Sequence, residues 1–360
     1  MDRQKIIIFL DSSQLGGIET HIVHLALALK QADICSEILF FKRYSERHPL
    51  EDKLITHGIE YSYLSGSFLQ LKDKLTREKP LLLHTHGYKA GVLGRLAALP
   101  SKTPVVSTFH NGDQGSGMVR LYTLLDKFTS RLSTNIAVSE EIALRFPNRP
   151  AVINNFINLS SITSPLGKHV AFVGRLSHEK GPDIFLQIAE RLPDIAFKMI
   201  GGGPMEKEIF EQSASNILCL GQVKDMEAQW DDIGLLCISS REEGLPMVAL
   251  EAMSRGIPVA AYRLGALPEL IKQNCNGWIA PTGNIRVMAE LVSNWSKLDA
   301  AQLSALSKSC QQTIEQQYSY DAILPEILTV YKQALSKKGL PWPENQWLSS
   351  QKLTATELRE

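Results

Sequence analysis

Two glutamates in the segment SSREEGLPMVALEAMSRGIPVAAYRLGALPELI (239–271) stand eight positions apart, across the junction of a predicted loop and a predicted helix. Glu243 lies on the loop, and Pro246 favours a helix start because its missing N–H would be unpaired there. Glu251 lies about five residues into that helix, roughly 7 Å along its axis. Its neighbours are apolar, so its carboxylate needs hydrogen-bond donors, and a sugar diol supplies them. The two carboxylates could hold the two sugars of a nucleotide sugar; the alternative is a buried helix with one satisfied core glutamate.

Two cations form the next candidate group. Arg175 and Lys180 are five positions apart in GRLSHEKG, directly after the apolar run HVAFVG. Fixed cations stabilise the charge that develops on a departing nucleoside diphosphate, whereas the alternative for two loop cations is simple solvation. No D-x-D pattern for a metal stands in a suitable loop, so these cations would replace magnesium. Asp231 and Asp232 precede a predicted strand and are interpreted as a helix terminus.

A pair of glycines follows the first predicted strand. Gly16 and Gly17 open the first predicted helix, where backbone N–H groups and the positive helix end can approach a diphosphate. A tight turn alone would also need glycine. The G-x-G-x-x-G pattern is missing here, which disfavours a dinucleotide site.

Three histidines end predicted strands. His110 follows the run VVSTF, where it is either structural or placed against a ligand. His84 and His86 end the preceding strand in LLLHTHG, and alternation along a strand puts both on one face. We therefore interpret the H-x-H spacing as lining an acceptor site and not as a metal site.

Length and composition limit the possible classes. The 360 residues suffice for two domains, and the equal counts of 38 basic and 38 acidic residues argue against a nucleic-acid partner. Of the five cysteines, Cys219 and Cys237 lie in apolar runs and are predicted to be small core residues; the lack of motif spacing favours a reducing compartment and no zinc site. With no signal-peptide core and no run of membrane-span length, we expect a cytoplasmic protein whose membrane contact, if any, is peripheral.

Short apolar runs alternate with amphipathic stretches, which predicts crossover units and parallel sheets. The series starts again after the polar stretch 154–168, so the sequence predicts two doubly wound α/β domains. We expect an N-terminal domain over 1–160, a second domain over 161–317 and a last segment over 318–360. That segment begins with a predicted helix at 318–336 and ends in a polar tail without an assigned role.

The motifs EGLPMV, EAM, G-PV and PELI, with GGIETH and GRL-x3-KG, resemble those of retaining glycosyltransferases of family four in the GT-B superfamily, with their Glu-x7-Glu signature. The resemblance covers roughly residues 1–335. It implies two Rossmann-like domains that face a central cleft, with the helix at 318–336 crossing back to the first domain. It also implies transfer of a hexose from a nucleotide diphosphate sugar, with UDP favoured, to a glycan or lipid-linked acceptor. No metal cofactor is expected.

The resemblance assigns roles to matching positions. It places Arg175 and Lys180 on the donor's phosphates and His110 near the reacting sugar, although Asn111 interrupts the family's T-x-H-G pattern. Glu243 would orient the donor sugar and Glu251 would bind the ribose. The remaining donor-side positions are main-chain ones: Gly16, Gly17, Gly203, Gly221 and Val223. Ser139 matches the V-S motif near the domain junction, or is a plain helix N-cap.

One segment, 118–132, carries apolar residues at helical spacing together with Arg120, Lys127 and Arg131. A helix packed in the core is one interpretation, and an amphipathic face on anionic lipid or a lipid-linked acceptor is the other. The basic residues Lys72, Lys74, Arg77 and Lys79 add charge to the same domain or form a solvated helix face.

Three alternatives to a glycosyltransferase stay open on the sequence. A metal-free nucleotide-sugar epimerase or hydrolase would need the same donor site. A non-catalytic nucleotide-sugar-binding subunit would need lesions in the charged set, and none is evident. An NAD-dependent oxidoreductase is disfavoured by the missing glycine fingerprint.

Overall fold

The computed structural model describes residues 4–14, 16–110, 118–159, 167–223 and 225–343. The chain divides into two compact units. The first comprises the described residues up to Asn154 together with those from Ile323 onward, and the second comprises Asn155–Ala322. The N-terminal part of the first unit thus ends six residues before the predicted boundary at position 160.

The first unit contains a seven-stranded sheet in which every pair is parallel, as the alternating pattern predicted. The strand order is β3-β2-β1-β4-β5-β6-β7. The strands are β1 (Ile6–Leu10), β2 (Ser36–Phe40), β3 (Glu60–Tyr63), β4 (Leu82–His86), β5 (Val105–Phe109), β6 (Thr134–Ala137) and β7 (Ala151–Val152). The helices of this part of the chain are α1 (Gly17–Gln31), α2 (Glu51–Thr56), α3 (Phe68–Glu78), α4 (Tyr88–Ala97), α5 (Met118–Thr129) and α6 (Glu140–Ala143).

The second unit contains a six-stranded parallel sheet with the order β10-β9-β8-β11-β12-β13. The strands are β8 (His169–Val173), β9 (Phe197–Ile200), β10 (Ile217–Gly221), β11 (Ile233–Ile238), β12 (Val259–Tyr262) and β13 (Gly277–Ala280). The helices are α7 (Pro182–Glu190), α8 (Glu206–Gln212), α9 (Glu227–Trp230), α10 (Met247–Ser254), α11 (Leu267–Leu270), α12 (Ile285–Trp295) and α13 (Ala300–Gln317). The last helix, α14 (Tyr320–Ser336), begins in the second unit and ends in the first.

Both sheets have apolar central strands because their two faces are covered by helices. All five residues of β1 are buried, as are all six of β11. Two strands escaped the sequence analysis. EYSY of β3 has no apolar run and lies at the edge of its sheet, and GWIA of β13 starts with a glycine.

The strand orders place a switch point in each unit, where consecutive crossovers turn to opposite sides. It lies between β1 and β4 in the first unit and between β8 and β11 in the second. In open parallel sheets, ligands bind outside the carboxyl ends of the strands at such a point. A ligand is therefore expected to bind at the residues that follow β1, β4, β8 and β11.

Two local predictions need correction. The helix α10 begins at Met247, with Pro246 at its N-cap, so the proline stands one position before the first helical residue and not at it. Cys237 is buried in β11, but Cys219 is only partly buried because β10 is an edge strand with one open side. Asp231 is the C-cap of α9, which confirms its interpretation as a helix terminus.

Candidate active site

Helix α10 carries the second glutamate of the spaced pair. Most of its residues, among them Met247, Leu250 and Met253, are buried in the apolar core of the second unit. Glu251 is only partly buried, and its backbone carbonyl accepts from Ser254 Oγ at 2.9 Å. The apolar faces thus fix the helix, and Glu251 is partly exposed.

The loop after β11 folds onto the loop after β8 because of a glycine. Gly181 has a φ of +64°, and a Cβ there would lie 2.3 Å from the Ser239 carbonyl oxygen. Ser239 Oγ in turn donates to the Gly181 carbonyl at 2.8 Å. Only glycine allows this approach, which brings together two motifs about sixty residues apart in the sequence.

The result is a contact between the predicted cation and the predicted carboxylate. Lys180 Nζ lies 2.7 Å from Glu243 Oε1, and Ser240 Oγ donates to the same oxygen at 2.7 Å. The Glu243 side chain is 6% exposed, whereas that of Lys180 is 34% exposed. The ammonium group therefore orients the carboxylate and still presents a side to a ligand.

A second ion pair, which the sequence did not predict, stabilises this loop. Arg241 binds Asp183 through two hydrogen bonds of 2.9 and 2.6 Å, and its backbone N–H donates to the Glu179 carbonyl at 2.8 Å. The Arg241 bonds lower the pKa of Asp183 and hold it ionised. Such a two-pronged pair fixes orientation as well as distance. The signal was present, since Arg241 and Asp183 each flank a family motif.

The loops after β8 and β9 are also joined through backbone. A Cβ at Gly203 would lie 2.5 Å from the Leu176 carbonyl oxygen, and Leu176 N–H donates to the Gly202 carbonyl at 2.9 Å. This places Arg175, whose side chain is exposed, beside the glycine turn. Gly221, with a φ of +65°, and the partly buried Val223 follow β10. The predicted residues of this unit, other than Glu251, thus lie at the carboxyl ends of the adjacent strands β10, β9, β8 and β11.

The first unit holds the predicted glycines and His110. Gly16 is the N-cap of α1, Gly17 is its first residue, and both are exposed, so their N–H groups are accessible to an anion. Behind them lies Glu19, for which the sequence predicted no role. A Cβ at Gly16 would lie 3.1 Å from the Glu19 Oε2 atom. Burial raises the pKa of the Glu19 carboxyl, although bonds from Ser12 and the backbone oppose the rise.

Histidines cluster at the carboxyl ends of β4 and β5. His86 Nδ1 lies 3.0 Å from His110 Nε2, and the rings of His84 and His86 are 4.2 Å apart, which confirms that the latter two share a face. His84 is fixed by Tyr331 Oη and Thr108 Oγ1, each at 2.8 Å. Desolvation lowers the pKa of His84, His86 and His110 well below the usual value, so all three rings are neutral at pH 7.

A fourth histidine completes this cluster and was missed. His21 lies on α1, and its ring centroid is 4.7 Å from that of His110 and 5.4 Å from that of His86. The rule that helix starts and strand ends meet at one edge of a parallel sheet could have found it, because α1 follows β1.

Helix α5 buries polar residues and exposes apolar ones. Its buried face carries Asp126 and Thr129, which bind Arg95 of α4: Arg95 Nη1 donates to Asp126 Oδ1 at 2.7 Å and to Thr129 Oγ1 at 2.9 Å. Four of its apolar residues are instead exposed, and the following 3-10 turn adds one more. The exposed fractions are 48% for Leu121, 58% for Leu124, 39% for Leu125, 75% for Phe128 and 42% for Leu132. The prediction of a helix is confirmed. Of its two interpretations, packing of the apolar stripe into the core is wrong, because the stripe is exposed. Within the described residues, no helix is both long and apolar enough to span a membrane.

Two smaller predictions are also settled. Ser139 Oγ accepts from the Ile142 N–H at 3.3 Å, so Ser139 is the N-cap of α6. Lys74 pairs with Glu37 at 3.0 Å, while Arg77 and Lys79 are exposed, as on a solvated helix face.

Family comparisons agree with this geometry. Residues 15–161 match the family described as Glycosyltransferase Family 4, and residues 167–297 match the family described as Glycosyl transferases group 1. The two matched domains and their doubly wound parallel sheets define a glycosyltransferase with the GT-B class of fold, as the motifs predicted.

An uncharacterized glycosyltransferase of Methanocaldococcus jannaschii is 27% identical over 302 residues, 77% of this chain and 84% of the relative. A UDP-Gal:alpha-D-GlcNAc-diphosphoundecaprenol alpha-1,3-galactosyltransferase of Escherichia coli is 23% identical, over 74% of this chain and 78% of the relative. The crystal structure of Anabaena HepE in complex with UDP-glucose has a TM-score of 0.76 at 19% identity, covering 93% of this chain and 99% of that chain. The chain is a glycosyltransferase, and it is similar to those of family 4.

Proposed function

We propose that this protein is a retaining hexosyltransferase that moves a sugar from a UDP-sugar to a hydroxyl of a glycan or lipid-linked acceptor, in the synthesis of a polysaccharide or glycolipid. The observation that carries the proposal is the contact of Lys180 with Glu243 at the switch point of the second sheet. One group suits the departing phosphates and the other suits sugar hydroxyls, and both lie where this fold class binds ligands.

The proposed reaction proceeds on one face of the sugar. The bond from the anomeric carbon to the diphosphate oxygen breaks, and the acceptor oxygen bonds to the same face of that carbon. The departing phosphate oxygen takes the acceptor's proton. Arg175 and Lys180, with the N–H groups of Gly16 and Gly17, would stabilise the charge on the diphosphate, while Glu243 positions the sugar. Glu251 would bind the ribose diol, and His110 would lie near the reacting sugar.

UDP is supported as the nucleotide by the names of two similar proteins. The Escherichia coli relative is named for UDP-galactose, and the HepE structure contains UDP-glucose. The same relative is named for a lipid diphosphate acceptor, which favours a lipid-linked acceptor here. The side-chain cations Arg175 and Lys180 take the place of a metal, so we propose that transfer needs no divalent ion.

The test is transfer itself. The protein is incubated with UDP-glucose, UDP-galactose or UDP-N-acetylglucosamine and a lipid-linked or oligosaccharide acceptor, with EDTA present. We expect a glycosylated product in which the anomeric configuration of the donor is kept, as read by NMR. An inverted product contradicts the retaining mechanism. Release of free sugar without transfer to any acceptor identifies a hydrolase, and loss of activity in EDTA contradicts the metal-independent reaction.

We further propose that α5 contacts an anionic membrane surface, where lipid-linked acceptors are found. The exposed leucines and Phe128 are flanked by the exposed cations Arg120 and Arg131. An apolar stripe bordered by cations is the pattern of helices that lie in the interface of anionic bilayers.

Sedimentation with liposomes tests the membrane contact. We expect the protein to bind vesicles with phosphatidylglycerol more tightly than neutral ones, and Leu124→Ser with Phe128→Ser to weaken binding at least tenfold. Leu144→Ser is the matched control, since Leu144 is 70% exposed in the same unit but lies outside α5. Equal binding by the double variant and the control would contradict the role of α5.

A further inference from the structure

The histidine cluster of the first unit has the composition of a transition-metal site. His21, His86 and His110 each offer one ring nitrogen, and these three nitrogens lie within 4.8 Å of one another. His21 and His86 are 3% and 2% exposed, and His110 is partly buried. They come from three elements, since His21 lies on α1, His86 ends β4 and His110 follows β5.

The spacing suits a tetrahedral ion. Two imidazole nitrogens bound to one zinc at about 2.0–2.1 Å lie about 3.3 Å apart, and the ring centroids lie about 5 Å apart. In this protein, His86 Nδ1 and His110 Nε2 are 3.0 Å apart, and the ring centroids of the trio are 4.7 to 5.4 Å apart. An ion would need the His86 and His110 nitrogens to separate by only a few tenths of an ångström, and the His21 nitrogen, within 4.8 Å of the other two, to lie about 3.3 Å from each of them.

The contact between His86 and His110 does not prevent metal binding. His86 Nε2 finds no hydrogen-bond partner in the described part of the chain, so a proton can move there without breaking another bond. When a metal binds, the proton shared between His86 and His110 moves to the far nitrogen of its own ring, so no net charge is lost. Burial keeps these rings neutral, which is the form that coordinates metals.

We propose that His21, His86 and His110 bind one divalent transition-metal ion such as Zn²⁺ or Co²⁺, with a fourth position open to water. Three imidazoles select zinc, cobalt, nickel and copper over magnesium, calcium and manganese, which prefer oxygen ligands. This ion is not the cofactor of sugar transfer. Given the proposed function, it competes for His110, so binding of the ion inhibits transfer.

Cobalt provides a direct probe of the site. The chelator-treated, tag-free protein is titrated with Co²⁺ and followed by the visible bands of tetrahedral cobalt, and Zn²⁺ is then added to displace it. We expect one ion per chain and displacement by Zn²⁺ but not by Mg²⁺. His86→Gln and, separately, His21→Gln should each weaken binding at least tenfold. The matched control is His178→Gln, an exposed histidine of the second unit.

Several outcomes would overturn the site. They are the absence of tetrahedral bands, equal binding by the trio variants and wild type, and loss of binding in the His178 control. Circular dichroism of the metal-free variants shows whether they fold, and the second variant serves if the first does not.

Inhibition of transfer by the ion is tested separately from binding of the ion. Zn²⁺ at a concentration that fills the site should suppress transfer of sugar from the UDP-sugar, and EDTA should restore it. Full activity with the site filled refutes the competition for His110. If no transfer is found with any donor, the proposed function fails, while the cobalt spectrum still decides whether the site exists.

Discussion

Replacement of Lys180 by alanine tests the core of the proposed reaction. An ammonium about 4 Å from a phosphate charge contributes roughly 4 kcal/mol at an effective dielectric constant of about 20. Loss of one preorganised donor of this kind typically lowers kcat about 10²–10³-fold, or ~2.7–4 kcal/mol. Since the Lys180 side chain is 34% exposed and its Nζ is already fixed 2.7 Å from Glu243, we expect the loss for Lys180→Ala to fall within this range.

Lys180→Ala should also destabilise the fold, because Glu243 is 6% exposed and loses its cation. We expect a loss below the roughly 3–5 kcal/mol of a fully buried pair, since Lys180 itself is 34% exposed. Glu243 also keeps its bond from Ser240. Steady-state transfer of radiolabelled sugar gives kcat and KM, and urea denaturation gives the free energy of unfolding of the same preparation.

Lys207→Ala is the control for this experiment. Lys207 lies in the same unit, but its side chain is 90% exposed and its only close carboxylate, among the described residues, is Glu211 at 3.9 Å. It should leave kcat unchanged. The reasoning is refuted if Lys180→Ala lowers kcat less than fivefold, or if both variants lower it equally.

Three further predictions concern the architecture around the sites. Gly181→Ala should lower kcat at least tenfold, because its Cβ would clash with the loop that carries Glu243, whereas Gly283→Ala, also at positive φ but with open space around it, should cost only about 1–2 kcal/mol of unfolding free energy. Arg95→Leu should cost about 3–5 kcal/mol in urea denaturation, because it leaves a buried carboxylate without its cation; a loss below 1 kcal/mol would contradict this. Burial of Glu37 opposes its ionisation, but bonds from two lysines and a serine outweigh it and lower the pKa of its carboxyl. Glu37→Gln should therefore be less stable than wild type at pH 7, and the gap should narrow as the pH falls below about 4.3; a gap independent of pH would contradict it.

The sequence predicted the donor-side loops well because their residues follow buried apolar strands. Arg175 and the Gly201–Gly203 turn come directly after β8 and β9, and parallel strands bring such loops to one edge. The direct contact of Lys180 with Glu243 was not predictable in the same way. It depends on the close approach at Gly181, and no periodicity in the sequence reports a backbone approach between distant loops.

The sequence predicted the histidine cluster and α5 less well. His21 lies on a helix in an apolar stretch, where spacing alone does not show that it faces His86 and His110. For α5, apolar periodicity predicted a helix but not which face is buried. The choice depended on Arg95, a residue of another helix that requires a polar partner in the interior.

The ion pair of Arg95 and Asp126 has a practical consequence for the isolated protein. Helix α5 packs on its unit through the Arg95–Asp126 pair. Turning its leucines and Phe128 inward would break that pair and leave the buried Arg95 without its carboxylate partner. In buffer without lipid or detergent, this apolar stripe can be removed from water by packing against the same stripe of a second molecule. Concentrated samples should therefore form reversible oligomers that mild detergent disperses, with no change in the fold of either sheet.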